Sequence, residues 1–311
     1  AAWRTMTEGL ALFETVVVAV PTPGDEEEEE EGGAGGGNTS PALTLLLPPA
    51  ALVAMGGALT RVLVRVKHVG ALDTARSALA ALGARLLTDT TKAPVGGSLE
   101  QPSSTPRPQR AWPDAWRAAW TAAATSPGGG LDDLVRRSGG LPFFMVALMQ
   151  AGAAVGGGHA AGSALVRACL ADVMGLLGET PAGAAPCAPV DAYAPRVHGF
   201  NTLRAVVDDG SLADATAGAR TAGLAACLAG LRAAQWPVRN AASLALASLL
   251  RRMVGGPPPV AGGDGPPARH ALTAGDLFHR LPGLQAVLEG GAVASAASGG
   301  GAAAAAGPDA T

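Results

Sequence analysis

Cysteine is scarce. Cys169, Cys187 and Cys227 are the three in the chain, with no C-x-x-C spacing and an odd total. That argues against a disulfide framework and for a reducing compartment. Aromatic residues are few: five Phe, five Trp and one Tyr among 311 residues. Alanine, glycine and proline dominate instead, in part through base-composition bias, so single Ala and Gly residues carry little information. No basic-head, apolar-centre, cleavage-site pattern marks a signal peptide. The mean hydropathy of +0.27 hints at membrane, yet the apolar stretch "ALTLLLPPAALVAMGGAL" is broken by Pro48-Pro49 and Gly56-Gly57. No clean span of about 20 residues is left, and no membrane insertion is expected.

Catalytic signatures are missing as well. There is no Walker loop, no G-x-S-x-G elbow and no G-x-G-x-x-G opening a helix after a strand. "GGAGGG" lies beside an acidic run and makes a poor phosphate cradle. His68, His159, His198, His270 and His279 form no i, i+4 pair and no zinc spacing with cysteine. The adjacent pairs Asp132-Asp133 and Asp208-Asp209 read as solvated helix ends rather than acid/base dyads. The chain is therefore expected to carry no catalysis, no metal and no cofactor of its own.

Negative charge is concentrated. Net charge is −3, but Asp25 to Glu31 supply seven carboxylates, and the remainder carries +4. The acidic block reads as a solvated, disordered insert. Three segments, 24–41, 88–110 and 255–267, are too polar or too rich in Gly and Pro to bury enough apolar surface. The tail 291–311 is of the same kind, and Gly178 to Pro195 reads as a Pro/Ala loop. The chain lacks an initiating Met and shows helical pattern almost from residue 1, as expected of a piece of a longer protein.

What remains is helical. "LVRACLADVMGLLG" places Leu165, Cys169, Val173 and Leu176 at spacings of four, four and three. "ASLALASLLRRM" is apolar nearly all round, as in a helix between neighbours. β-branched alternation is rare, and "RVLVRV" (61–66), the one passable strand pattern, is also read as helix.

Four stretches repeat: "VKHVGALDTARSAL" from Val66, "VRRSGGLPFFMVAL" from Val135, "VHGFNTLRAVVDD" from Val197 and "VRNAASLALASLL" from Val238. Each starts with Val and a basic residue, then runs into a small-residue-rich apolar helix. The intervals are 69, 62 and 41, and the last fits the roughly 40–47 residue period of HEAT and armadillo repeats. The expected fold is all-α, an α-solenoid of HEAT/armadillo-like repeats over 1–290 with disordered inserts, in which Val packs inward and Pro142 sits early in its helix or kinks it.

In such an array Lys67, Arg136, His198 and Arg239 align along one ridge, extended by Arg137, His68, Asn240, Arg251 and Arg252. One reading is an internal ladder, each cation pairing with an acid or carbonyl of the preceding repeat. The other is a phosphate-binding groove, where arginine gives bidentate contacts. Arg251 and Arg252 also suit a helix C-terminus. His68 and His198 read as buried histidines, and Trp3, Trp116 and Trp236 as core anchors.

Several motifs, in order along the chain, resemble the thyroid adenoma-associated protein (THADA) family. "RRSGGLPF" (136–143) is similar to its hallmark R-R-S-A-G-[LI]-P. "RVHGFNTLRAVVDD" resembles Q-V-H-A-L-N-I-L-R-A-L-F-R-D, and "QWPVRNAASLALASLLRRMVG" resembles S-x-x-W-A-V-R-N-S-S-x-x-L-F-x-A-L-x-x-R-x-x-G. "DLFHRLPGL" and "KHVGALDTA" match too, with Val69 and Asp208 standing where the family carries Arg. The resemblance implies a cytoplasmic, non-catalytic subunit. It would bind tRNA and an FtsJ-like, S-adenosylmethionine-dependent methyltransferase that modifies the ribose 2′-O at anticodon-loop position 32. It makes Arg136, Arg137, Lys67, His68, His198, Arg239 and Asn240 the RNA- or partner-binding candidates. The alternative is a HEAT-repeat protein–protein scaffold with no RNA role.

Overall fold

The computed structural model of the chain describes residues 2–19, 49–91, 111–126, 138–155, 160–178, 189–254 and 274–280, with Gln285 and Glu289. The described residues are helical, with no strand among them. Among the described residues, ten α-helices follow in order: α1 (Ala2–Ala19), α2 (Pro49–Arg65), α3 (Val69–Thr91), α4 (Trp112–Thr125), α5 (Leu141–Ala154), α6 (Ala160–Leu176), α7 (Val190–Asp208), α8 (Arg220–Gly230), α9 (Trp236–Val254) and α10 (Ala274–Arg280). Two short 3-10 turns, Gly210–Leu212 and Ala217–Ala219, link α7 to α8.

The packing follows from the burial pattern of each helix. In α4, Trp112, Trp116, Trp120 and Ala124 recur every fourth residue and are all buried. One stripe faces the core while Pro113 and Asp114 favour the first turn. The indole Nε1 of Trp120 donates to the Leu141 carbonyl at 3.0 Å, tying α4 to the start of α5. α5 is buried on nearly every side, from Leu141 and Pro142 through Phe144–Met149 to Ala151 and Gly152. It touches α2, α3, α4, α6 and α7. α6 buries a narrower stripe, Leu165, Val166, Cys169 and Val173, completed by Leu177 just past its end.

Contacts between helices run in a regular order. α3 packs on α5, α5 on α7 and α7 on α9. The alternate helices also meet, α2 with α4 and α4 with α6, and each sequential pair α2–α3, α4–α5, α6–α7 and α8–α9 is in contact. α1 lies against α3. The core is one continuous cluster from Leu10 to Met253.

Three expectations are corrected. The segment 88–110 does not begin as an insert, because α3 continues through Thr91. The Pro/Ala stretch ends earlier than its composition implies: α7 starts at Val190 and holds Pro195 within its body. Its Val197, Phe200 and Leu203 face secures enough core contact to keep the helix intact there. Trp236 opens α9 at 65% exposure rather than anchoring the core; Val238 takes the inward position at 0%. The "RVLVRV" stretch is helical through Arg65. Pro142 occupies the first turn of α5, where a missing N–H costs nothing. Segments 24–41, 92–110, 255–267 and 291–311, and the Trp3 side chain, lie outside the described residues.

Candidate functional site

Ser138, Gly139 and Gly140 form the turn that launches α5. Ser138 (φ 71°) and Gly139 (φ 56°) both adopt the left-handed conformation, in which a side chain with a Cβ is strained. The turn is held from α7. His198 Nδ1 and the Ser138 hydroxyl share a 2.7 Å hydrogen bond, and Asn201 Nδ2 donates to the same Oγ at 2.9 Å. All three residues are buried, so each bond replaces water that is no longer present. Gly140 permits the approach of α2: a Cβ there would overlap the Leu63 carbonyl oxygen.

The turn forms part of a cavity of about 530 Å³. Lys67, Val69 and Leu72, at the entry to α3, make one wall. Asn201, Arg204, Ala205 and Asp208, along α7, make the other, and Gly139 of the turn with Pro142 and Phe143 of α5 line it between them. A second hollow of about 260 Å³ shares Pro142, Phe143, Ala205 and Asp208 and reaches Asp73, Arg76 and Asp209. The groove thus runs between α3 and α7 over α5.

A polar ladder crosses the same helices. Arg76 Nη1 donates to Gln150 Oε1 at 2.7 Å, and Gln150 Nε2 donates to Asp209 Oδ2 at 3.0 Å. Arg252 Nε and Nη2 donate to the carbonyl oxygens of Val207 and Asp209, satisfying the C-terminus of α7. Arg251 reaches Asp208 at 3.2 Å, and Arg204 reaches the other oxygen of that carboxylate at 3.5 Å. On the opposite flank, Arg117 grips Asp172 bidentately at 2.7 and 2.9 Å, joining α4 to α6.

Among the described residues, the predicted site residues do not all lie on one exposed ridge, because His198 is buried. Lys67 and His68 are exposed in the link before α3, so His68 is not the buried histidine expected. His198 lies two turns inside α7 at 4% exposure, bound to Ser138; it is the buried, hydrogen-bonded histidine expected, and so not a surface contact. The helix starts seven residues before Val197, which shifts the register of this stretch relative to the others. Arg239 Nη1 donates to the Ala233 and Ala234 carbonyls in the α8–α9 link, beside exposed Asn240. Arg136 and Arg137 lie outside the described residues; the Ser138 that follows them is fixed next to the cavity.

Sequence reasoning missed Arg204, Arg76 and Gln150. Asn201 was missed too, but was recoverable, since it sits one helical turn after His198 and so on the same side of α7, with Arg204 a further turn on. Arg76 and Gln150 carried no motif.

A family model described as THADA/TRM732, DUF2428 matches residues 1–237. The chain belongs to this family. No curated protein and no solved structure matches it. The residues lining the 530 Å³ cavity all fall inside the THADA/TRM732 match, whereas Arg239, Asn240, Arg251 and Arg252 lie beyond it. Among the described residues, no helix is long and apolar enough to cross a membrane.

Proposed function

We infer that this domain belongs to a non-catalytic, cytoplasmic subunit that binds tRNA and an FtsJ-like, S-adenosylmethionine-dependent methyltransferase, supporting 2′-O-ribose methylation at anticodon-loop position 32. The observation that carries this reading is the THADA/TRM732 match over residues 1–237. The order of helix contacts, with α3, α5, α7 and α9 in one row and α2, α4 and α6 in another, supports an α-solenoid. That solenoid would extend over 1–290, interrupted at 24–41, 92–110 and 255–267 and followed by a low-complexity tail at 291–311.

A subunit of this kind contributes position rather than bond chemistry. Holding the target ribose against the enzyme turns an encounter into an oriented approach, worth about 7–11 kcal/mol at most in well-aligned cases. Lys67, which lines the cavity, and its neighbour His68 are both exposed and are the described candidates proposed to meet a phosphate backbone. Arg136 and Arg137 immediately precede the fixed turn and belong to the same proposed surface. Arg239 and Asn240, at the start of α9, would contribute further along it, and His198 would act only by holding Ser138.

The second reading, a protein scaffold with no RNA role, draws on the carbonyl bonds of Arg239 and the buried position of His198. Salt separates the two. RNA affinity of the full-length chain should fall steeply between low and physiological salt, with a shallower slope after Lys67→Ala or Arg137→Ala. A salt-insensitive chain, or one with no RNA affinity, supports the scaffold.

A further inference from the structure

We propose that the end of α2 is an RNA contact, in which Arg61 and Arg65 hold the phosphate backbone of a strand without reading its bases. The assignment rests on the RNA-binding reading above. Leu52, Leu59 and Leu63 fix the inward side of α2, each at 2% exposure or less. Arg61 and Arg65 therefore point outward, one helical turn apart and both exposed. The Val66 N–H donates to the Val62 carbonyl and the Leu72 N–H to that of His68, so the short link 66–68 holds this end of α2 against α3.

These two arginines differ from the others in being uncommitted. Arg76, Arg117, Arg204, Arg239, Arg251 and Arg252 each bind a carboxylate or a carbonyl. Arg61 and Arg65 make no hydrogen bond or ion pair among the described residues. No Asp or Glu occurs from Gly32 to Leu72, and Asp73, the next along the chain, is held by Arg76. Lys67 and His68 have interactions of their own and are not needed for the contact. Arg65 lies in the last turn of α2, where the helix dipole alone favours a cation, but Arg61 stands a full turn earlier.

Two observations select a phosphate backbone as the occupant. Nucleic-acid interfaces are far more positively charged than protein–protein interfaces, whose centres favour aromatic and apolar side chains. The exposed large apolar residues beside the cations are just Val64 and Val69, and no Phe, Tyr or Trp occurs from Glu14 to Ala111. The same lack leaves no aromatic ring for a base to stack on, so the contact is with the backbone and carries no sequence information. The second observation is position. The Leu63 carbonyl lies so close to Gly140 that a Cβ there would overlap it. The end of α2 thus abuts the turn that follows Arg136 and Arg137 in the chain, and extends the surface proposed for them. An acidic protein partner is an outcome of the test.

The test uses the full-length chain, an unmodified tRNA anticodon stem-loop, and a second stem-loop with a scrambled loop sequence. Arg61→Gln, Arg65→Gln and the double variant are compared with Arg167→Gln, which removes an exposed and equally uncommitted arginine from α6. Each is first shown to melt like wild type; where Gln lowers the melting temperature, Ala at that position replaces it. Affinity is measured from about 50 to 200 mM salt. Each single variant should reduce the slope of log affinity against log salt by about one, and the double variant by about two. The double variant should bind both stem-loops about tenfold more weakly at low salt, the scale of a lost charge-assisted contact, and Arg167→Gln should change neither quantity. Wild-type affinity and slope in the double variant overturn the contact and leave the RNA reading standing. An equal loss in Arg167→Gln overturns it in favour of diffuse charge attraction. A loss confined to one loop sequence overturns it in favour of base reading. Loss of methyltransferase capture with RNA binding intact overturns it in favour of an acidic protein partner. A wild-type chain that binds neither stem-loop removes the RNA reading itself, and the contact with it.

Discussion

Ser138 and His198, sixty residues apart in the chain, are joined by a buried 2.7 Å hydrogen bond. That bond links the turn before α5 to the body of α7 and fixes a non-glycine residue in the left-handed region. Such strain persists only where the surroundings over-determine it. Ser138→Ala should keep the strain and lose both hydrogen bonds, stranding His198 Nδ1 and Asn201 Nδ2. A cost of about 2–4 kcal/mol follows from two unmade buried bonds. Urea unfolding of the variant checks this, and a midpoint equal to wild type would remove the turn from the account.

The neighbouring glycines should respond differently. Gly140→Ala drives a Cβ into the backbone carbonyl of Leu63, which cannot rotate away. Gly139→Ala meets nothing within 4 Å and pays only for its φ of 56°, roughly 1–2 kcal/mol. Thermal melts of the two variants should rank Gly140→Ala far below Gly139→Ala, with the former failing to fold or losing more than about 3 kcal/mol.

Much of this was legible beforehand because it is local. The helices announced themselves through apolar spacing, and of the two places expected for Pro142, early in its helix or at a kink, it takes the first. The buried valines of the repeat, Val197 and Val238, face inward as their pattern implied. What stayed hidden depends on register and on partners distant in sequence. The burial of His198 was expected, but its partner Ser138, sixty residues away, was not. A polar ladder exists, in which the expected Arg251 and Arg252 take part alongside Arg76 and Gln150, which no pattern had marked. Long polar side chains reach across helices at positions no periodicity marks. Trp236 shows the converse: size and aromaticity suggested burial, and only the neighbouring Val238 determines which face of α9 turns inward.

The Arg117–Asp172 pair couples α4 to α6 with both side chains about one-fifth exposed, 23% and 20%. The hydrogen bond to Asp172 raises the arginine's already high pKa, so the pair stays ionised on the arginine side throughout the accessible range. Arg117→Lys should fail to restore the bidentate grip. A double-mutant cycle with Asp172→Asn is expected to give a coupling of about 1 kcal/mol, reduced at high salt because the pair is partly solvated. Coupling near zero would make the contact incidental.

Cys169 and Cys227 are free, buried thiols, each pushed up to about 12 by burial, a shift that Arg117 partly opposes at Cys169. A raised folded-state pKa favours the protonated thiol. Its contribution to stability is intact below the unfolded value near 9 and is lost as pH climbs toward 12. In a Cys187→Ser background, both thiols should resist a disulfide reagent at pH 8 and react fully once urea unfolds the chain. Rapid native labelling would show that the α6 and α8 faces open far more readily than their packing implies. Stability of the same background should decline between about pH 9 and 12, and a flat profile would contradict the thiol contribution.

The most direct test of the central claim is methyl transfer to the anticodon-loop ribose. The full-length protein and the FtsJ-like methyltransferase from the same organism are assayed separately and together on tRNA. The account predicts no transfer by this protein alone and transfer at position 32 only in the mixture, diminished by Arg136→Ala and Arg137→Ala. An active methyltransferase that neither co-purifies with this protein nor gains activity from it would contradict the account.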